Sequence, residues 1–378
     1  MLINEFQFTI PAKVVYKSGA IDELGDLLKQ TGIGKVLVVT DAGIAKAGFL
    51  DVVNNVLAAC GVESEVFLDV EPNPSVDTVN KGAAIFNDLK FQGVIALGGG
   101  SPMDTAKAIA IKITNGGNVQ DYEGPDTFEH DPLPVIAIPT TAGTGSEVTP
   151  FAVITDRARK YKLTIISPRI IPQIAILDPG LISRLPASIA ASTGLDALTH
   201  AIESYVSLFS SPYSDAFAEK AIELIGRNLR LFVANRKNEE AAGSMLVASL
   251  FAGLAFTHAR LGNAHAMAHP LGGYFDVPHG VANAILLPYI MDYNRIANPD
   301  KFCRIAKLMG DEESPQGAVE AIRKLNRDLG IPEKLSSFGV TSDAVAGMTK
   351  DAMKSGNVLA NPRQTGFSEI EALYQLAI

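Results

Sequence analysis

Six histidines occur in the 378 residues, and three of them, His265, His269 and His279, fall within the single stretch GNAHAMAHPLGGYFDVPHG. Upstream, STGLDALTHAIESYV reads as a helix that carries Asp196 and His200 four positions apart. That spacing puts a carboxylate and an imidazole on one helix face, a turn apart, where both can reach one ion. Taken alone the pair is weak, because a solvated polar face has the same spacing. His265 and His269 repeat it. Pro270, however, disfavours helical geometry for the residue before it, and Gly272 and Gly273 are expected to end any helix soon after. His269 is therefore expected to diverge from His265. His279 opens the next helix, HGVANAILLPYIMDYN, where the helix dipole keeps an imidazole neutral and fit to bind metal. One aspartate and three imidazoles suit a divalent transition ion such as iron, zinc or nickel, with one histidine left for chemistry. The competing reading is five polar residues satisfied in a core.

A second group of residues suits an anion. VIALGGGSPMDTAKAIA reads as a strand, a glycine loop and a helix. Gly98, Gly99 and Gly100 let main-chain amides approach a phosphate closely, and the following helix offers its N-terminal N–H groups. Ser101 is expected to cap that helix, with Pro102 in its first turn; Asp104 follows in the same motif. The spacing is neither GxGxxG nor GK[ST], and an ordinary tight turn is the alternative. In PTTAGTGSEVTPFAVIT, Thr140, Thr141, Thr144, Ser146 and Thr149 offer hydroxyls to phosphate, ribose or amide groups. Asp41 ends the run KVLVVTD, where a carboxylate can accept from a ribose diol and repel a 2′-phosphate, or simply cap a helix.

These residues need a scaffold. KVLVVT (35–40), SEVFL (64–68), GVIALG (93–98) and PVIAIPT (134–140) are apolar, β-branched runs alternating with helical patterns. That alternation implies a parallel sheet covered on both faces, with ligands bound at the carboxyl ends of its strands. Beyond about residue 185 only long Ala- and Leu-rich segments follow. The reading is an α/β dinucleotide-binding domain over 1–185 and an all-helical metal-binding domain over 186–378. The segment EFQFTIPAKVVY alternates in polarity and is a candidate for pairing across a two-fold axis.

Composition bounds the partners. Apolar residues make up 47%, charged residues 19%, and the net charge is −9. An acidic chain without a basic block argues against nucleic acid and anionic membranes. The run MLVASLFAGLAF is too short to span a bilayer and reads as a buried helix. The N-terminal residues lack a signal-peptide pattern. Cys60 and Cys303 read as free thiols of a reducing compartment, and the cytoplasm is the expected location.

The motifs GGGSPMDTAKAIA, PTTAGTGSEVT, STGLDALTHAIESY and HAMAHPLGGYFDVPHGVANAILLP together resemble the iron-dependent (group III) alcohol dehydrogenase family, over essentially the whole chain. The resemblance implies a dehydroquinate synthase-like fold, an α/β nucleotide-binding domain followed by an all-α domain. It also implies Fe²⁺, with Zn²⁺ as an alternative, on Asp196, His200, His265 and His279. His269 then lies near the substrate without being a ligand. NAD(H) falls on Gly98–Ser101, Asp41, Asn73, Thr140, Thr141 and Lys162, and Asp104, Thr144 and Thr149 are further candidate contacts. The implied reaction interconverts small primary alcohols or diols and their aldehydes by hydride transfer, in a homodimer or larger homo-oligomer. The ion polarises the substrate oxygen, and His269 is the candidate proton relay. Rivals are a zinc-dependent glycerol-type dehydrogenase, a dehydroquinate synthase relative, disfavoured because only Arg260 lies near the histidines as a cation, and a non-catalytic metal- and nucleotide-binding sensor.

Overall fold

The computed structural model describes residues 7–10, 12–86, 90–159 and 161–378. Contacts divide the chain into two compact units, one from Ile10 to Leu185 and one from Pro186 to Ile378 that also takes in residues 7–9.

The first unit is built on a six-stranded sheet of β1 (Lys13–Tyr16), β2 (Lys35–Val39), β3 (Glu63–Phe67), β4 (Gly93–Gly98), β6 (Val135–Pro139) and β9 (Ile174–Leu177). The strand order is β1-β9-β6-β4-β2-β3, and every pairing in it is parallel. The period-two alternation of a strand divides its side chains between the two faces. Leu37, Val39, Val94, Ala96, Val135 and Ala137 enter one core cluster, while Val36, Val38, Ile95, Leu97, Ile136 and Ile138 enter another. Both faces are dry, which explains why these strands read as continuous apolar runs. After β3 the chain returns to the other side of β2 to lay down β4. That reversal opens a crevice at the carboxyl ends of β2 and β4, the usual position for a ligand in such a sheet. A smaller sheet pairs β7 (Phe151–Asp156) antiparallel with β8 (Tyr161–Ile166), and the short β5 (Gly124–Pro125) lies on β8.

The second unit is helical among its described residues. Helix Ala187–Val206 is its centre, packed against helices Pro212–Ala234, Glu239–Ala259 and His279–Asn294. Helix Glu239–Ala259 is long and apolar enough to cross a membrane, but 72% of its apolar window is buried inside the protein, as expected of a core helix. Both cysteines are free.

One local expectation is corrected. Helix Asn263–Phe275 runs through Pro270 and past both Gly272 and Gly273, ending where Asp276 adopts a left-handed φ of 52°. Proline is disfavoured inside a helix, yet Ala266, Met267, Ala268, Pro270 and Leu271 are all buried. Burial of that face outweighs the local preference of His269. Of the N-terminal segment, Lys13–Tyr16 form β1 at the edge of the sheet, with Lys13 opposite Ile174 and Tyr16 opposite Leu177. Residues 5, 6 and 11 of that segment lie outside the described residues.

Candidate metal and dinucleotide sites

The helical unit gathers a polar cluster in its core. Asp196, His200 and Glu203 occupy positions i, i+4 and i+7 of helix Ala187–Val206 and so share one face. His265 sits in the first turn of helix Asn263–Phe275, and His279 opens helix His279–Asn294. Gly280 is what permits the approach of that last helix. A Cβ there would stand 2.3 Å from the Ser192 carbonyl oxygen and 3.4 Å from Asp196 Cβ.

Among the described residues, one donor atom each from Asp196, His265 and His279 lie within 4.8 Å of one another. His265 Nε2 is 3.8 Å and His279 Nε2 3.7 Å from Asp196 Oδ1. His200 lies against this group and outside it. Its ring stacks between Phe256, at a centroid distance of 4.6 Å, and His265, at 4.5 Å. His269 is exposed, yet its ring stacks 5.4 Å from His279. It lies beside His279 and outside the donor group, although the helix that carries it is unbroken.

The electrostatics favour a cation. Burial pushes the Asp196 carboxyl up, but His200, His279, His265 and the Asn283 amide outweigh it, so its pKa is lowered. Burial, reinforced by His200 and His279, holds His265 well below the ordinary histidine range, as a neutral imidazole. Asn283 reports the geometry directly. Its Nδ2 lies 2.8 Å from Asp196 Oδ1, 3.1 Å from His265 Nε2 and 3.2 Å from His279 Nε2. An amide brings two protons to these three acceptors, whereas a divalent ion can satisfy all three. The buried Oδ1 of Asn283 has no protein partner. A carboxylate with neutral imidazoles is a donor set for a divalent transition metal, and these residues fit one.

In the α/β unit, the glycine loop joins β4 to helix Gly100–Asn115. Gly98 has φ +150°, and a Cβ on it would meet the Pro102 ring at 2.5 Å. Gly99, not Ser101, is the N-cap, and no side chain caps the helix. The expected Ser101 cap is corrected: Ser101 is already helical, and its carbonyl accepts from Thr105 Oγ1. The first-turn amides of a helix have no acceptor within it, which makes an uncapped turn a ready anion site. The hydroxyl loop lies over this turn. Cβ atoms on Gly99 and Gly100 would come within 3.1 Å of Thr141 Oγ1 and 2.9 Å of Thr144 Cγ2. Thr140 donates its N–H to the Gly98 carbonyl at 3.0 Å, and its buried Oγ1 has no protein partner.

The other candidates divide. Lys162 Nζ donates to Asn73 Oδ1 at 2.7 Å, so the β7–β8 hairpin carries the lysine to the loop after β3. Burial lowers the Lys162 pKa. Asp41 caps helix Ala42–Lys46, accepting from Ile44 N–H at 3.0 Å, while standing at the carboxyl end of β2. Asp104 and Thr149 are engaged inside the protein. Asp104 accepts from Ser146 Oγ at 2.9 Å and Val153 N–H at 3.0 Å, and the Thr149 carbonyl accepts from Lys107.

Sequence reasoning missed Lys107, Glu203 and Asn283. Lys107 is fully buried, and its Nζ donates to Ser146 Oγ, the Thr149 carbonyl and the Phe151 carbonyl, each at 2.9 Å. Burial pushes this lysine down to about 8 and the neighbouring Glu147 up to about 7. The ammonium fixes the hydroxyl loop to the helix of the glycine loop. Glu203 and Asn283 were signalled only by spacing, at i+7 from Asp196 and i+4 from His279.

Comparison with known proteins gives consistent matches along the chain. Residues 11–179 match the family described as iron-containing alcohol dehydrogenase, and residues 190–378 match the Fe-containing alcohol dehydrogenase family, C-terminal. The chain is 42% identical to a 1,3-propanediol dehydrogenase of Klebsiella pneumoniae, covering 100% of both chains. It is 37% identical to an NAD-dependent methanol dehydrogenase of Bacillus methanolicus, covering 98% of this chain and 99% of that one. A crystal structure of a 1,3-propanediol oxidoreductase superposes with a TM-score of 0.97 at 42% identity, covering 99% of this chain and 100% of the other.

Proposed function

Because the chain belongs to the iron-containing alcohol dehydrogenase family, we propose that it is a metal-dependent, NAD(H)-linked enzyme interconverting small primary alcohols or diols and their aldehydes. The observation that carries this reading is the convergence of the Asp196, His265 and His279 donor atoms within 4.8 Å. In the proposal these three and His200 hold Fe²⁺ or another divalent ion. When bound, the ion supplies Lewis acidity to the substrate oxygen, and the dinucleotide gives or takes the hydride.

The chain's own residues do the rest. Burial of Asp196, His200 and His265 keeps His265 neutral and able to coordinate, while His279 stays open to substrate. The uncapped turn at Gly99–Ser101 offers main-chain N–H groups to the dinucleotide pyrophosphate. Thr140, Thr141 and Thr144 line that turn with hydroxyls, and the Asn73–Lys162 pair stands ready to hydrogen-bond ribose hydroxyls. Asp104 and Thr149 support this surface from behind through Ser146, Val153 and Lys107. Asp41 selects NAD(H) over its 2′-phosphorylated form. His269, exposed beside His279, exchanges the alcohol proton with solvent. The enzyme is proposed to work as a cytoplasmic homo-oligomer.

Anaerobic metal analysis with activity reconstitution tests this reading. The expected result is a divalent ion bound at one per chain and NADH oxidation with small aldehydes that chelator abolishes and Fe²⁺ restores. Absence of turnover on a broad aldehyde panel by the metal-loaded protein would overturn it in favour of a sensor.

A further inference from the structure

Glu203 is a buried carboxylate that no step above uses. It is only 4% exposed, and both of its oxygens are engaged. Oε1 accepts from Ala264 N–H at 2.6 Å, and Oε2 lies 2.6 Å from His265 Nδ1. Burial pushes the Glu203 carboxyl up to about 7, against the main-chain N–H groups of Gly262, Ala264 and His265, which lower it. Helix Asn263–Phe275 begins at Gly262 with no side-chain cap of its own. Glu203, reaching across from helix Ala187–Val206, thus serves the free amides of that helix start.

We propose that Glu203 is a positioning residue that caps helix Asn263–Phe275 and, by accepting the Nδ1 proton of His265, commits the Nε2 lone pair of that histidine to the metal ion. The proposal rests on the assignment of Asp196, His265 and His279 as ligands. A neutral imidazole carries one ring proton, and the partner of one nitrogen decides which nitrogen is left bare. An ionised carboxylate oxygen accepts and does not donate, so with Glu203 ionised the proton sits on Nδ1. Nε2 then faces Asp196 and Asn283, where a second proton would block the site. One side chain sets both the place of the helix and the tautomer of its ligand.

Glu203→Gln in the full chain separates these roles. Glutamine keeps the size and an oxygen for Ala264 N–H, but its amide can only donate to Nδ1, which drives the proton to Nε2. The expected result has two parts. In metal-free protein with labelled histidines, nitrogen NMR shows His265 protonated at Nδ1 in wild type and at Nε2 in E203Q. Zn²⁺ affinity, measured by competition with a chromophoric chelator, falls about 10–100-fold, while NADH binding stays unchanged. A cap without a tautomeric role would lower the melting temperature and leave the NMR signature alone. Wild-type His265 protonated at Nε2 would overturn the proposal even if E203Q failed to fold. E203Q holding Zn²⁺ as tightly as wild type would overturn the role of Glu203 alone. Wild type that takes up no divalent ion would remove the ligand assignment along with it.

Discussion

Gly98→Ala tests whether the glycine loop is built to a steric limit. Two costs are readable from the geometry. At φ +150° an L side chain is strained, and holding a residue in so sparsely populated a region costs about 1–3 kcal/mol. The added methyl would also stand 2.5 Å from Pro102 Cγ and 2.9 Å from Pro102 Cβ. A proline ring has no rotamer to escape into, and overpacking of this kind costs about 1–3 kcal/mol. Together the loss is about 2–6 kcal/mol. Gly32→Ala is the control, because Gly32 is left-handed at φ 71° and ψ 17° with nothing within 4 Å of its Cβ position. That substitution costs only the left-handed penalty, about 1–2 kcal/mol. For a unit of this size each kcal/mol shifts the melting temperature by roughly 2–4 °C. G98A should therefore melt several degrees below G32A. The assay is scanning calorimetry of the full chain, following the transition that NADH shifts upward, since a ligand stabilises the unit it binds. Titration of NADH fluorescence at a temperature where both variants are folded should show weaker binding in G98A only. Coincident melting of the two variants, with wild-type NADH affinity in G98A, would refute the steric argument.

Asp41→Gly should relax cofactor choice. Glycine is itself a tolerable N-cap, so stability should change by only a few tenths of a kcal/mol, while the ratio of NADPH to NADH efficiency should rise by about tenfold or more, a differential of about 1.4 kcal/mol; an unchanged ratio contradicts the assigned role. His269→Ala should leave the bound metal in place, because His269 lies outside the donor cluster, and should slow turnover by about 10²-fold or more while altering its pH profile. Full turnover with an unaltered profile would remove His269 from the proton path.

Much of this arrangement was legible from residue type and spacing. β2, β4 and β6 stand out because strands dry on both faces need continuous β-branched runs, whereas β3, exposed at Glu63 and Glu65, showed through its apolar end. β9 escaped because IAIL is four residues long, and β1 because three of its four residues are exposed. The β7–β8 hairpin escaped for another reason: half of each strand is only partly buried, so polar residues interrupt the pattern. At the metal site, Asp196 and His200 could be read a turn apart, yet Glu203 on the same face was overlooked one turn further on. The rule that proline displaces its predecessor from helical geometry failed at His269, since it weighs two residues against the burial of a whole helix face. Lys107 was unreadable in principle: lysine is almost never fully buried, and only the carbonyls gathered around its Nζ reveal why this one is.

The pairing of β1 with β9 has a consequence for how the protein is made. Lys13 finds its hydrogen-bonding neighbours only when Ile174 exists. At about 5–20 residues per second on the ribosome, the first strand waits roughly 8–30 s for the last. During that interval Val14 and Tyr16, still 36% and 49% exposed in the finished fold, lie on a strand with neither edge paired. The nascent chain is then most open to mispairing with its neighbours on a crowded polysome, and closure of the sheet by β9 marks the end of that exposure.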